Sequence, residues 1–503
     1  MRRAFGAVPV DERDVELRVW APSVRALAVD VAHGRVALDS VGDGVWECRV
    51  AAGAGDEYRL VVDGGETYPD PCSRAQPYGV RGPSAVVDTG AFAWTDEGWQ
   101  GVALDDLVIY ELHVGTFTDE GTFDAVIPRL RGLRALGVTA IELMPVATFA
   151  GERGWGYDGL YLSAPHRAYG GPDGLARLVD AAHAESLAVL LDVVYNHVGP
   201  GNEALRAFAP YITSRHDTVW GDALDYGQAG VREWAIQNAE LWVRDFHIDG
   251  LRLDAVHTIL DESPQHICAE LAARVRDARP RALVISEMEI DDWRPIEEWG
   301  HDAQWADLAH HELHVLLTGE HDGYYEGYGS VERLAAALRG DGHDPRRLVV
   351  YAQNHDQVGN RAAGDRLRPD ALRVAASVVL FSACIPLLFM GEESFEPHPF
   401  QFFTDHIDPA IAEATREGRR REFAAFTSFG EEVPDPESVE TFLRSKLSQR
   451  EPDAFYRELL ALRRELPGDL SVEADEDAKT LRMRRGAVEL VADFGAKQVH
   501  ILR

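Results

Sequence analysis

The sequence predicts an α/β fold: a (β/α)8 TIM barrel with an N-terminal β-sandwich and a short C-terminal β appendage. Three observations predict it. Apolar runs of strand length recur eight times between Leu107 and Glu393, helical patterns separate most of them, and both ends of the chain carry short strand-like segments. Continuous apolar strands alternating with helices call for a parallel sheet covered on both faces, and eight such units suggest a closed barrel.

The elements follow in order. Residues 1–90 contain "VELRVWAP", "ALAVDV", "GVWECRV" and "EYRLVVDG", each bounded by Gly, Pro or Asp turns, the spacing of a small sandwich. Residues 91–465 hold the eight runs: "LVIYELHVGTF", "TAIELMPV", "LAVLLDVVYNHVG", "IDGLRLDAVH", "ALVISEMEI", "DAQWADLAHH", "RLVVYAQNHDQVG" and "IPLLFMGEE". Between them lie amphipathic stretches such as "FDAVIPRLRGLRALG" and "GPDGLARLVDAAHAES". The longest apolar run, Val374 to Met390, contains Pro386 and reads as a buried helix followed by a buried strand rather than a membrane span. A charge-rich stretch and the helical "DAFYRELLALRREL" follow, and residues 466–503 return to strands.

Composition narrows the function. With 84 acidic against 50 basic residues the net charge is −34, which repels nucleic acid and anionic membranes and suits a neutral ligand. Cys48, Cys72, Cys268 and Cys384 lie far apart without a Cys-x-x-Cys pair, the pattern of free thiols in a reducing compartment. The N-terminus has two arginines but no apolar core of a secretory signal, so a cytoplasmic location is expected.

Polar residues cluster where barrel strands end, the face that carries barrel active sites. Asp192, Asn196 and His197 follow the third run, Arg252 and Asp254 sit at the fourth, Glu287 at the fifth, and Asn354, His355 and Asp356 at the seventh. Three carboxylates from three strand ends, Asp254, Glu287 and Asp356, would converge on one cavity. Glycoside hydrolysis needs such a set: one to attack the anomeric carbon, one to protonate the leaving oxygen, and a further anion to hold sugar hydroxyls. "GLRLDAVH" then has a reason to place Arg252 two residues before Asp254, because the cation keeps its neighbour ionised. Glu287, among other carboxylates and apolar residues, is expected to have a raised pKa and so to retain its proton.

The segments "DVVYNHVGP", "GLRLDAVH", "VISEM" and "YAQNHDQVGN" resemble, in order and position, the four motifs of the α-amylase superfamily of retaining glycosidases. The resemblance implies Asp254 as nucleophile, Glu287 as general acid/base and Asp356 as transition-state stabiliser. It also implies hydrogen bonds to the reacting sugar from Arg252, His197 and His355, and stacking on Tyr157. Within the superfamily the chain is similar, over about nine tenths of its length, to the family of maltooligosyltrehalose trehalohydrolases. "WGYDGLYLSAPHRAYGGPDGLARLVDAAH", "FHIDGLRLDAVHTILDESPQHICAEL", "LLTGEHDGYYEGYG" and "PFQFFTDHIDPAIAEATREGRRREFAAF" carry that likeness. It implies hydrolysis of the α-1,4 bond that joins a maltooligosaccharide to a terminal trehalose, with maltooligosyltrehalose as substrate and no metal or other cofactor. Further substrate contacts expected on this basis are Asp192, His257, Asn354, Asp307, His310 and His311 of the sixth run, and Phe402, Phe403, Asp405 and His406 after the eighth. Leu308 and Ala309 depart from the acidic and aromatic residues expected beside Asp307, and "EMEIDDW" departs from the usual acidic run after Glu287.

Other readings compete. A glycogen branching or debranching enzyme would share the sandwich and the barrel motifs, whereas an inactive glucan-binding protein would need to have lost a carboxylate. Gly154, Gly156 and Gly159 fit a dinucleotide pattern, but no suitable helix follows and Trp155 and Tyr157 crowd the turn. The histidines of "HHELH" lack the His-Glu-x-x-His spacing of a metal site and suit sugar binding or packing. "REGRRREF" reads as a solvated helix face or as partners for barrel carboxylates, and Phe402 and Phe403 as core or as sugar-stacking rings.

Overall fold

The structure, a computed structural model, describes residues 3–216, 218, 220–340, 342–423 and 433–503. The last three residues of "REFAAF", 424–426, lie outside them.

Eight parallel strands close into a TIM barrel in sequence order. They are β1 (Ile109–Leu112), β2 (Ala140–Leu143), β3 (Ala188–Val193), β4 (Gly250–Leu253), β5 (Leu283–Ser286), β6 (Ala303–Trp305), β7 (Leu348–Tyr351) and β8 (Ile385–Phe389). Nearly every residue in them is buried, because one face of each strand meets the barrel interior and the other meets helices. The principal helices outside the strands are α1 (Phe123–Leu136), α2 (Gly171–Ala184), α3 (Ala229–Asp245), α4 (Ile267–Ala278), α5 (Asp307–Thr318), α6 (Val331–Leu338), α7 (Pro369–Phe381), α8 (Pro409–Phe423) and α9 (Ala454–Glu465). Their ends are written in the sequence. Thr122 caps α1 by accepting from the Ala125 N–H, and Gly137 ends it at φ +124°, a conformation that strains any residue with a Cβ.

Before the barrel, two antiparallel sheets form the sandwich. One joins Gly6–Pro9, Asp14–Trp20, Val45–Ala51 and Asp39–Gly42; the other joins Gly34–Ala37, Leu27–Val31, Glu57–Val62 and Thr67–Tyr68, with Ser84–Ala85 beside Glu57–Val62. Val15, Leu17 and Val19 alternate inward along the second strand. The sandwich docks on α3, where Trp20 lies directly over Gly230, and on the preceding loop, where Trp20 packs edge-on against Tyr211. At the far end, Ser471–Asp475, Thr480–Arg485, Val488–Asp493 and Gln498–Leu502 make a four-stranded antiparallel sheet. Its Leu481, Met483, Leu490 and Ala492 join one apolar cluster with Ala375, Val378 and Val379 of α7.

One expectation is corrected. "DAQWADLAHH" is not one strand carrying Asp307, His310 and His311: β6 is only Ala303–Trp305, and Asp307 opens α5. The histidines therefore ride on a helix above the strand. No described helix is long and apolar enough to cross a membrane, and all four cysteines are unpaired.

Candidate active site

Arg252 is the hub. It projects from β4 and is 0% exposed. Its Nη1 donates to Asp192 Oδ2 and to Asp254 Oδ1, both at 2.7 Å, and its Nη2 donates to Glu287 Oε2 at 2.6 Å. The guanidinium lies 4.1 Å from the ring centroid of Trp305 at the end of β6. Desolvating a cation this fully is tolerable only because three carboxylates and an aromatic face surround it.

Backbone geometry fixes the two carboxylates that line the opening. Asp254 and Glu287 each follow the last residue of their strands, and the parallel ladder continues one step further. The Asp254 N–H donates to Val193 O at 3.1 Å and the Glu287 N–H to Leu253 O at 2.9 Å. The chain then turns at Ala255, a non-glycine residue at φ +40°, which aims its N–H at Glu287 Oε2 at 2.9 Å. A left-handed alanine costs about 1–3 kcal/mol, and strain of this kind concentrates at functional sites. Asn196 donates through Nδ2 to both the carbonyl and Oδ2 of Asp254 at 2.8 Å. It also bonds His197 Nδ1.

A second chain of contacts runs from β1 to Asp356. Glu111 accepts from the His355 N–H at 2.9 Å, and its other oxygen lies 2.5 Å from His355 Nδ1. The opposite ring nitrogen faces the Tyr157 hydroxyl at 2.7 Å and Asp356 Oδ2 at 3.4 Å. Tyr157 also donates to Asp192 Oδ2 at 2.7 Å and stacks on the His355 ring. Asn360 donates to Asp356 Oδ1 at 2.9 Å, and Asn354 caps the short helix that carries Asp356 by accepting from Gln357.

The electrostatics set Glu287 and Asp356 apart. Burial pushes Glu287 well above the glutamate range; Arg252 opposes it, while Asp254, Asp356 and Asp307 push it further up. Burial would also raise Asp356, but the charge and hydrogen bond of His355, with help from Arg252 and Asn360, hold it down at about 2. His355 is raised well above its ordinary value because Asp356 and Glu111 overcome its burial. Burial lifts Asp192 to about 6 despite Arg252. One pocket thus holds a carboxyl group that keeps its proton and a carboxylate that stays charged.

The remaining expected contacts divide. His197 is buried with Nε2 unpartnered, and His257 carries an unpartnered Nδ1 just beyond Ala255. Asp307 sits at the start of α5 bonded to the Tyr351 hydroxyl. His311 faces Tyr328, 4.8 Å between centroids, and lacks a partner at Nδ1. His310 turns inward instead, buried among Tyr351, Tyr325 and His314. Phe403 is a core residue, wholly buried against His113, Phe400 and Phe442. Phe402 is half-buried, edge-on to Trp155 and covered by Arg419. Asp405 braces a loop by accepting from Arg153 and the Glu152 N–H, and His406 lies 3.9 Å from Asp158.

The sequence motifs do not single out two acids in the barrel interior. Glu111 holds His355, and Glu142 on β2 is fully buried with neither carboxyl oxygen partnered by protein. Each of the two glutamates sits inside a strand whose every residue is buried, and that signal stands in "IYEL" and "AIEL".

Comparison with known proteins identifies the family. A family model described as alpha amylase, catalytic domain, matches residues 68–218. The chain is 41% identical to a malto-oligosyltrehalose trehalohydrolase of Deinococcus radiodurans, over 97% of this chain and 89% of that protein. It is 42% identical to the one of Saccharolobus solfataricus, over 91% and 86%. A crystal structure from Salmonella typhimurium described as an alpha amylase superposes with a TM-score of 0.90 at 38% identity, covering 98% of this chain and 93% of that one. A 1,4-alpha-glucan branching enzyme of Corynebacterium jeikeium matches only 51% of this chain, at 31% identity. With near-complete coverage at this identity, an eight-stranded parallel barrel and three acids gathered at its strand ends, the chain belongs to the malto-oligosyltrehalose trehalohydrolase family, a branch of the α-amylase superfamily of glycoside hydrolases.

Proposed function

We propose that the chain hydrolyses the α-1,4-glucosidic bond next to the terminal trehalose of maltooligosyltrehalose and releases trehalose by retaining double displacement. The observation that carries the mechanism is the single guanidinium shared by Asp254 and Glu287. Two carboxylates tied to one planar cation favour the short spacing of double displacement, about 5–5.5 Å between carboxyl groups, over the wider gap that inversion needs for an intervening water.

In this reading Asp254 attacks the anomeric carbon as the glycosidic bond breaks, and Glu287 gives its proton to the departing trehalose oxygen. Glu287, now ionised, takes a proton from water, which attacks the glycosyl-enzyme and frees Asp254. Asp356 remains charged and stabilises the oxocarbenium-like transition state by gripping sugar hydroxyls. Tyr157 offers the sugar a ring face, and the unpartnered nitrogens of His197 and His257 are suited to its hydroxyls.

Trehalose as leaving group is supported by the names of the full-length relatives. Trehalose has both anomeric carbons locked in one bond, so a site shaped for it rejects a plain maltooligosaccharide by about 1–3 kcal/mol per misplaced contact, roughly 10- to 200-fold. Assaying maltotriosyltrehalose and maltopentaose side by side should give a far higher kcat/KM on the former, with free trehalose in the chromatogram. Equal rates, or longer and branched products from amylose, would move the assignment to a branching enzyme.

A further inference from the structure

The end of the barrel opposite the three acids holds a cavity of about 780 Å³. Its wall is built from residues that precede barrel strands: Leu107 and Val108 before β1, Thr139 before β2, Ser186 before β3, Arg346 before β7 and Cys384 before β8. The C-terminal end of α9 and the last sheet close it from the side. Conservation of stability, not ligand binding, is the ordinary business of this face of a barrel. The charges here are unusual for that role.

Arg134, Arg463, Arg464 and Arg485 all line the cavity, and among the described residues none of the four forms an ion pair. In a chain with net charge −34, four cations without carboxylate partners on one concave wall are not a by-product of composition. Arg463 donates to the carbonyls of Leu380, Ser382 and Cys384 at 2.6–2.9 Å, and Arg485 donates to Pro467 O at 2.6 Å and Ser382 O at 2.9 Å. The Leu380 and Ser382 carbonyls end α7, whose dipole offsets only about half a charge, and the Cys384 and Pro467 carbonyls lie beyond helix ends. They leave most of two positive charges in place. Burial, and then the nearby Arg485, bring Arg463 down to about 10, the mark of two cations held close in a poorly hydrated place. Arg464 reaches in from α9 beside Gly137, where a Cβ would come within 3.0 Å of its Nη2, and Arg134 donates to Val138 O from the last turn of α1. Asp105 and Asp106 lie on the rim; Asp105 is 3.7 Å from Arg346, which is already bound to Asp344.

We infer that this cavity is a binding site for a phosphate-bearing small molecule, with Arg463 and Arg485 as its fixed positive wall and Arg134 and Arg464 as the cations that close on the anion. The volume is that of a small-molecule pocket, about 300–1,000 Å³, and guanidinium forks match phosphate oxygens two at a time. A low-dielectric wall concentrates the local positive field against the repulsion of the acidic surface. A neutral glucan carries no charge to complement such a wall, and the cavity lies at the barrel end opposite the three acids, so the site is separate from substrate binding.

Isothermal titration of the full-length chain with inorganic pyrophosphate tests this, with inorganic phosphate as the single-phosphate arm and maltose as the neutral control. Saturable binding of one pyrophosphate per chain is expected, weaker for phosphate and absent for maltose. Arg463 and Arg485 hold backbone carbonyls, so the informative variant is Arg134→Gln/Arg464→Gln, which leaves those bonds intact. It should lose about tenfold or more in affinity, equivalent to about 1.4 kcal/mol, with an unchanged circular dichroism spectrum and unchanged hydrolysis. No saturable binding, or equal affinity in the folded double variant, would overturn the site.

Discussion

At residue scale, the same guanidinium touches two carboxyl groups that must do opposite things. Arg252 bonds Asp254 through one nitrogen and Glu287 through the other, yet burial and three surrounding carboxylates still lift Glu287. Asp254→Asn and Glu287→Gln should each lower turnover by roughly a thousandfold or more, because each removes a role in a shared transition state rather than a packing contact. Turnover measured alongside circular dichroism checks this, and a folded Asp254→Asn enzyme with near-normal activity would rule out Asp254 as nucleophile. The pH profile follows from the same geometry. kcat/KM reports the free enzyme, and the acid must be protonated, so kcat/KM should fall as pH rises through a Glu287 pKa well above the ordinary glutamate value. That basic limb should vanish in Glu287→Gln, whereas Asp356, held at about 2, should contribute no limb near neutrality. Persistence of the limb in the glutamine variant would assign it elsewhere. The three acids and Arg252 were legible in the sequence because each stands at the end of an apolar run. Glu111 and Glu142 were not, because a single acid inside such a run looks like a tolerated polar residue until the barrel closes around it.

At the scale of elements, seven of the eight barrel strands were legible for one reason: a parallel strand buried on both faces is a continuous apolar run, and helix-period patterns separate such runs. β6 was the weak point. Only Ala303–Trp305 pair in the sheet, and the mixed polarity of "DAQWADLAHH" hides the break at Ala306, beyond which His310 and His311 belong to α5. The fate of Phe403 was equally hidden, since two adjacent phenylalanines after a strand end carry no mark of which one turns to the core. Contact between elements was also unreadable. Gly230 on α3 lies under the Trp20 ring, and a Cβ there would enter the space the ring fills. Gly230→Ala should therefore loosen the sandwich from the barrel and cost about 1–3 kcal/mol, the usual penalty of overpacking. Urea denaturation checks this: Gly230→Ala should cost less in a Trp20→Leu background than in the native chain, and equal penalties in both backgrounds would refute the contact.

Across the whole molecule, the chain divides its labour along the barrel axis. The C-terminal strand ends gather Asp254, Glu287 and Asp356 around Arg252, the sandwich braces α3, and the last sheet packs on α7 and walls off the opposite end. A net charge of −34 repels nucleic acid and anionic membranes from an enzyme whose proposed substrate is neutral. The account's central claim joins a mechanism to a substrate, and a single spectrum can read both. Proton NMR taken in the first moments of maltotriosyltrehalose hydrolysis, before mutarotation, resolves the anomer of the new reducing end and the anomeric signal of free trehalose. Attack by Asp254 followed by attack of water predicts maltotriose released as the α-anomer together with one equivalent of trehalose. Initial β-anomer would mean that water, not Asp254, attacks the sugar, and a released disaccharide with a reducing end of its own would mean that the bond cut is not the one beside trehalose.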